Sequence, residues 1–148
     1  MTNIEVKGPQ VVCSAFIENT IGSERKFLLV LCSGFKVWRV PGGRAEFGEN
    51  IEDTLVREME EETGIKFENP RFLGYGQDEQ FLYTLNKTRS RLLMFFHVKL
   101  KKSDEDKIKL DPEEAEDFKW VTIEEMRKIK NKEGALTVFL DKNPKLNI

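Results

Sequence analysis

Cysteine and histidine are nearly missing from this 148-residue chain, with two of the first and one of the second. Two cysteines make no disulfide framework. Cys13 and Cys32 both sit in apolar, strand-like runs and are expected as buried free thiols. His97 also lies in an apolar run, so a core position is expected for it rather than a role as base. An excess of either charge is missing too. The 24 Lys and Arg residues face 26 Asp and Glu, for a net charge of −2, which excludes a generic binder of extended nucleic acid. The longest apolar runs, Phe27–Cys32 and Leu92–Phe96, fall far short of the ~20 residues of a membrane helix. Met1 to Gln10 holds no long apolar stretch, so no secretory signal is expected there and a soluble, cytoplasmic protein is. Internal repeats and low-complexity segments are absent. Disorder is excluded by what is plentiful, namely 11 Phe residues with many Ile, Leu and Val. The length suits a single domain over residues 1–148.

Alternating strand-like and helix-like segments fill that domain. Val11–Ile17, Phe27–Leu31 and Phe35–Val40 read as strands, and Pro41-Gly42-Gly43 as the end of regular structure. Asn50 to Thr63 is predicted helical, with Asn50 as cap, Glu52 and Asp53 in the first turn and Gly64 just past the end. Its apolar residues Ile51, Leu55, Val56 and Met59 form one stripe. Phe72–Tyr75, Gln80–Leu85 and Arg91–Leu100 read as strands, Lys101–Glu116 as a charge-mixed loop, and Phe118–Val121 as a short strand. Thr122-Ile123-Glu124-Glu125 has the form of a capping box opening a helix to about Lys130. Ala135–Leu140 reads as a final helical turn. Helices and strands mixed in this way give an α/β sandwich around one sheet.

One segment breaks a local rule. Glu58, Glu60, Glu61 and Glu62 crowd the last turns of the first helix, where the helix dipole disfavours negative charge and where Glu58 and Glu62 repel each other at i,i+4. At 100° per residue, Glu58, Glu61 and Glu62 share one 100° arc bordering the stripe of Leu55 and Met59. Converging carboxylates of this kind suit a hard divalent cation, and a solvated acidic face is the alternative. Functional sites are where such rules are commonly broken.

The surrounding residues decide between them. Gly43, five residues, Glu49, seven residues, then Arg57-Glu58-Met59-Glu60-Glu61-Glu62-Thr63-Gly64-Ile65 matches GX5EX7REUXEEXGU, with U aliphatic, at every fixed position. With this composition and ~30% for each aliphatic site, a chance match is on the order of one in a million. The segment resembles the Nudix box. Phe27–Leu31, Trp38–Gly43 and Phe118–Val121 are also similar to family segments.

The resemblance implies an α/β/α sandwich with a central mixed β-sheet. It implies a hydrolase that cleaves nucleoside diphosphates linked to another moiety (a nucleotide sugar, an ADP-ribose-like molecule or a dinucleoside polyphosphate) with the help of Mg2+ or Mn2+. By match to the box, Glu58, Glu61 and Glu62 are the expected metal ligands, with Glu58 the first choice for general base and Glu62 for a bridging ligand. Arg57 is expected to orient the acidic cluster, paired with Glu49. Gly43 offers an open backbone whose carbonyl suits the metal, and Gly64 closes the helix. Among Glu113, Glu114 and Glu116, Glu114 is the choice for a further carboxylate entering the site, with Gln77–Gln80 the rival source. Arg39 and Arg44 flank the Gly42-Gly43 turn and suit substrate phosphates, solvent exposure being the alternative. Phe35, Trp38, Tyr75, Phe81 and Tyr83 are stacking candidates, with Trp38 and Tyr83 preferred.

The array after the box that marks NADH, coenzyme A or ADP-ribose hydrolases is absent. A MutT-like nucleoside triphosphate pyrophosphohydrolase is the second reading, and a silent Nudix-fold ligand sensor the third. The expected partner is a small nucleotide-type substrate, without membrane or extended nucleic acid. A homodimer is an open assembly state, since family members are often dimers. The near-neutral net charge conceals a segregation that fits such a partner. Residues 46–62 carry −7 and the other 131 residues carry +5, so an acidic metal-binding segment faces a mildly basic remainder.

Overall fold

The computed structural model describes residues 8–148. The reading of Met1 to Gln10 falls largely on residues 1–7, outside the described residues.

Strand β1 (Gln10–Ile21) organises everything else. Its residues alternate between two buried faces, Val12 and Phe16 on one and Cys13, Ala15 and Ile17 on the other, as the period of two in a strand requires. A strand buried on both faces reads as a continuous apolar run, which is why Val11–Ile17 carries no polar alternation. β2 (Glu24–Cys32) repeats the pattern, with Phe27 and Leu29 on the first face and Leu28 and Val30 on the second.

β1 pairs antiparallel with β2 only through Glu18–Ile21. Beyond that the two strands diverge, and the gap is filled by β3 (Trp38–Arg39) on β2 and β4 (Gly42–Arg44) on β1. Pro41 lies between them, and its carbonyl accepts from the Ala15 amide at 2.9 Å. Pro41-Gly42-Gly43 was expected to end regular structure. Instead Gly42 and Gly43 form a short strand, because β1 offers them a free edge. On its other side β1 pairs parallel with β6 (Lys87–Lys99), which pairs antiparallel with β5 (Arg71–Leu82). β7 (Ala115–Val121) pairs with the outer edge of β2. The seven-stranded sheet is therefore mixed.

Helix α1 (Ile51–Thr63) covers the second face with Leu55 and Met59, while α2 (Ile123–Lys128) and α3 (Gly134–Lys142) cover the first with Met126, Leu136 and Phe139. This is the α/β/α sandwich. The Asn50 cap and the Thr122–Glu125 capping box form as their sequences require. Three expectations change. Phe72–Tyr75 and the first part of Gln80–Leu85 belong to one continuous strand that ends at Leu82, with an irregularity between Phe72 and Gly74, and Tyr83 to Leu85 lie in the following turn. Lys101–Glu116 contains a 3-10 helix at Lys102–Lys107. The last helix extends well beyond one turn, because Leu136, Phe139 and Leu140 bury fully against the sheet. Cys13 and Cys32 are free thiols, the first buried and the second half-buried. His97 is buried in β6, with Nε2 2.9 Å from Glu18 Oε1.

Candidate active site

The wedge between β1 and β2 places the Gly42–Arg44 backbone directly under the acidic end of α1. Thr54, Leu55, Met59 and Thr63 face the sheet. Gly64 takes the left-handed conformation (φ 78°) and its amide donates to the Glu60 carbonyl at 2.8 Å, a conformation open to glycine at little steric cost. With that register fixed, the four carboxylates part company. Glu62 turns inward and is only 7% exposed. The Gly42 amide donates to its Oε2 at 3.0 Å, and Arg39 Nη2 lies 3.5 Å from its Oε1. Glu58 lies over Gly43, where any side chain would collide with its carboxylate. Glu61 is largely exposed.

Arg57 is the hub of the outer side. Its Nε and Nη2 donate to the two oxygens of Glu49 at 2.8 and 3.0 Å, a bidentate pair. Its Nη1 donates to Glu58 Oε1 at 2.8 Å and reaches Glu61 Oε2 at 3.3 Å, and its Nη2 also donates to the Arg44 carbonyl at 3.1 Å. Thr54 Oγ1 donates to Glu49 Oε1 at 2.6 Å. One guanidinium thus ties together the turn, the brace residue Glu49 and two helix carboxylates.

The electrostatics divide along the same line. The hydrogen bonds from Arg57 and Thr54 hold Glu49 down at about 2. Burial pushes Glu62 up to about 8, and the neighbouring Glu114 and Glu58 push the same way against the pull of Arg39. Glu58 is raised as well, first by burial. Burial, with Glu49 and Glu58 nearby, pushes the Cys13 thiol up to about 11, so Cys13 stays protonated and is no nucleophile.

A cleft of about 390 Å³ opens here, lined by Gly43, Glu58, Glu61, Glu113 and Glu114 together with Arg39 and Arg44. Glu114, chosen from three acids, stands beside Glu62. Glu116 instead pairs with Lys36. Among the described residues, no three His, Cys, Asp or Glu side chains are already gathered into a finished metal cage. The donor set nevertheless fits a hard cation. It is all oxygen, and two of its carboxylates, Glu62 and Glu58, are raised first by burial and then by neighbouring carboxylates.

A second lobe of about 280 Å³ adjoins the first through Arg39, Gly42, Gly43 and Arg44, and is walled by Gln10, Arg89, Arg91 and Glu133. Sequence reasoning missed these four. The usable signal was an arginine at each of two alternating positions, 89 and 91, at the start of an otherwise apolar strand. Asp78, from the rival acidic stretch, lies behind Arg91, and both its oxygens accept from that arginine at 2.8 and 2.6 Å. The two preferred stacking residues fall elsewhere. Trp38 packs against the core beneath Lys119, 4.1 Å from its ring centroid. Tyr83 is 81% exposed at the β5–β6 turn, edge-on to Phe81. Neither lines these lobes. A larger concavity of about 700 Å³ lies around Phe67, His97 and Lys101 and contains none of the α1 carboxylates.

A family model described as NUDIX domain matches residues 9–141. A Bacillus subtilis (strain 168) protein called an uncharacterized Nudix hydrolase is 49% identical over 37 residues, covering 25% of this chain and 23% of its own. A putative 8-oxo-dGTP diphosphatase of the same organism is 35% identical over 72 residues, covering 43% of this chain and 46% of its own. The chain spans less than half the length of these curated relatives. The crystal structure of a MutT protein from Methanosarcina mazei Go1 superposes with a TM-score of 0.75 at 21% identity, over 95% of this chain and 97% of that one. Among the described residues no helix is long and apolar enough to cross a membrane.

Proposed function

This chain belongs to the Nudix family, and on that footing we propose that it is a divalent-metal-dependent hydrolase. The bond cleaved is the pyrophosphate bond of a nucleoside diphosphate linked to another moiety. The observation that carries this reading is the inward-turned Glu62, buried beside Glu58 and Glu114, two carboxylates that line a cleft together with Arg39 and Arg44.

In this proposal Glu58, Glu61, Glu62, Glu114 and the Gly43 carbonyl hold Mg2+ or Mn2+. Bound there, the cation neutralises the diphosphate and lowers the pKa of water. The chain's own residues do the rest. Arg39 and Arg44, on the turn shared by both lobes, bind the phosphate oxygens. Arg57, braced by Glu49, fixes the direction of Glu58 and Glu61. Glu58 keeps one oxygen on Arg57 Nη1, which leaves the other to accept a proton from attacking water. The same reading places a single Nudix domain in the cytoplasm, acting on small nucleotides.

A panel of nucleotide sugars, dinucleoside polyphosphates and nucleoside triphosphates, with Mg2+ and with Mn2+, tests it. Cleavage of linked diphosphates to a nucleotide and a second phosphorylated product is expected, and no turnover of any member would overturn the reading. Release of pyrophosphate from triphosphates would favour the MutT-like reading, the one suggested by the relative named as a putative 8-oxo-dGTP diphosphatase.

A further inference from the structure

The concavity of about 700 Å³ around Phe67 and His97 shares no residue with either lobe of the cleft. It forms where the segment leaving α1 meets the end of β6. Five cations line it: Arg25, Lys66, Arg71, Lys99 and Lys101. Two carboxylates, Glu68 and Asp104, line it as well, and each already faces a lysine. Glu68 Oε2 lies 3.9 Å from Lys101 Nζ, and Asp104 Oδ1 lies 3.2 Å from Lys107 Nζ. Arg25 pairs with Glu18. The ion pairs among the described residues therefore leave Lys66, Arg71 and Lys99 with no carboxylate partner. Three like charges around one hollow repel each other, with only solvent and salt to screen them.

Exposed lysines are common, and the floor is what sets this hollow apart. Ile65, Phe67 and Val98 are buried there and give it an apolar base. His97, only 7% exposed, lines it beside them. Glu18 Oε1 holds its Nε2 at 2.9 Å. The other ring nitrogen has no hydrogen-bond partner among the described residues, and it is not one of the unpaired atoms sealed from solvent. It is therefore free to meet a ligand. The charged groups that face the ring are Glu18 from β1, Arg25 from β2 and Arg71 from β5. Burial holds the imidazole below its usual range, and Arg71 and Arg25 push the same way against Glu18. An anion placed over the ring would offset both arginines and accept a hydrogen bond from the imidazolium.

We propose that this hollow is a second, non-catalytic site for a small phosphorylated molecule. Lys66, Arg71 and Lys99 hold a group with the charge of a diphosphate, and His97 donates to it from its free ring nitrogen. The organic part of the ligand lies over Ile65 and Phe67, in a volume suited to a molecule of nucleotide size. Lys66 and Phe67 follow directly on the Gly64 that closes α1, so a ligand seated here bears on the end of the helix that carries Glu58, Glu61 and Glu62. The site does not depend on what the cleft hydrolyses.

His97 is the single histidine of the chain, so its ring gives one set of nuclear magnetic resonance signals, a reporter set in the floor of this hollow. The test titrates inorganic pyrophosphate into the protein in chelator, which keeps metal from the cleft, against potassium chloride at matched ionic strength. Saturable movement of the His97 ring signals is expected with pyrophosphate and not with chloride. The ring's titration midpoint is expected to rise when pyrophosphate is bound, because a neighbouring anion favours the imidazolium. Two variants at exposed positions, each checked by thermal melting, locate the anion: the double variant Lys66→Gln/Lys99→Gln and the single variant Arg71→Gln. An exposed ion pair is worth up to about fivefold in affinity, so the double variant is expected to bind at least about tenfold more weakly and the single one about threefold to fivefold. No saturable movement up to about 10 mM pyrophosphate, equal movement with chloride, or an affinity unchanged in either variant would overturn the proposal. The hydrolase reading fails by a different result, the absence of turnover across the substrate panel.

Discussion

The two walls of the cleft use the same residue types to opposite ends. On the α1 wall negative charge is left in excess: one guanidinium, Arg57, serves Glu49, Glu58 and Glu61, and Arg39 lies 3.5 Å from the buried Glu62. On the wall of β6 and α3 both carboxylates, Asp78 and Glu133, pair directly with one guanidinium, Arg91, and Arg89 adds a second cation. On the proposed reading the first wall is completed by a cation from outside, whereas the second pairs its carboxylates within the chain.

The comparison breaks first at Glu62. Glu62→Gln keeps the shape and the Gly42 hydrogen bond but removes the charge, and turnover is expected to fall by about 10³-fold. The metal-free fold stays intact, because the amide matches the neutral carboxyl that folded Glu62 carries below about pH 8. The pH dependence of metal-free stability sharpens this. Folded Glu62 holds its proton up to about pH 8, whereas unfolded carboxylates release theirs near 4.5. The folded state therefore binds more protons across that window, and this group makes stability fall as pH rises from about 4.5 to 8. Denaturant unfolding in chelator should show that fall in the parent and a flatter profile in Glu62→Gln.

The second wall is expected to fail through stability instead. Arg91→Met leaves Asp78 and Glu133 buried without their cation, at a cost of about 3–5 kcal/mol. At about 2–4 °C per kcal/mol, Tm drops by roughly 10 °C, as calorimetry will read. Next in size is Arg57→Gln, which loosens the brace without removing a proposed ligand. Metal affinity or turnover is expected to fall about 10–100-fold, the range for partners that orient ligands. Arg57→Lys should not restore it, because an ammonium cannot reproduce the bidentate grip on Glu49. Smallest is Tyr83→Ala, with less than about twofold change in kcat/KM and stability within ~0.5 kcal/mol.

The first wall was legible in the sequence and the second was not, for a physical reason. The α1 carboxylates lie in one short segment whose cap, stripe and closing glycine set their directions locally, so helix geometry alone could sort Glu58, Glu61 and Glu62 from Glu60. Gln10, Asp78, Arg89 and Glu133 come from β1, β5, β6 and the start of α3, and meet only through the parallel pairing of β1 with β6 and the antiparallel pairing of β5 with β6. No local pattern encodes such a meeting. Trp38 and Tyr83 could not be placed for a related reason: aromatic type says nothing of which way a side chain faces, and one packs against the core while the other stands at a hairpin tip. The Gly42–Arg44 strand was hidden because its existence depends on the divergence of β1 from β2.

The most direct measurement is Mn2+ binding to parent and Glu62→Gln near pH 8, with no substrate present, followed by the electron paramagnetic resonance signal of free Mn2+. The expected result is saturable binding by the parent, weakened at least about tenfold in the variant. Equal binding by the two proteins would contradict the claim that the buried carboxylates of α1 await a cation.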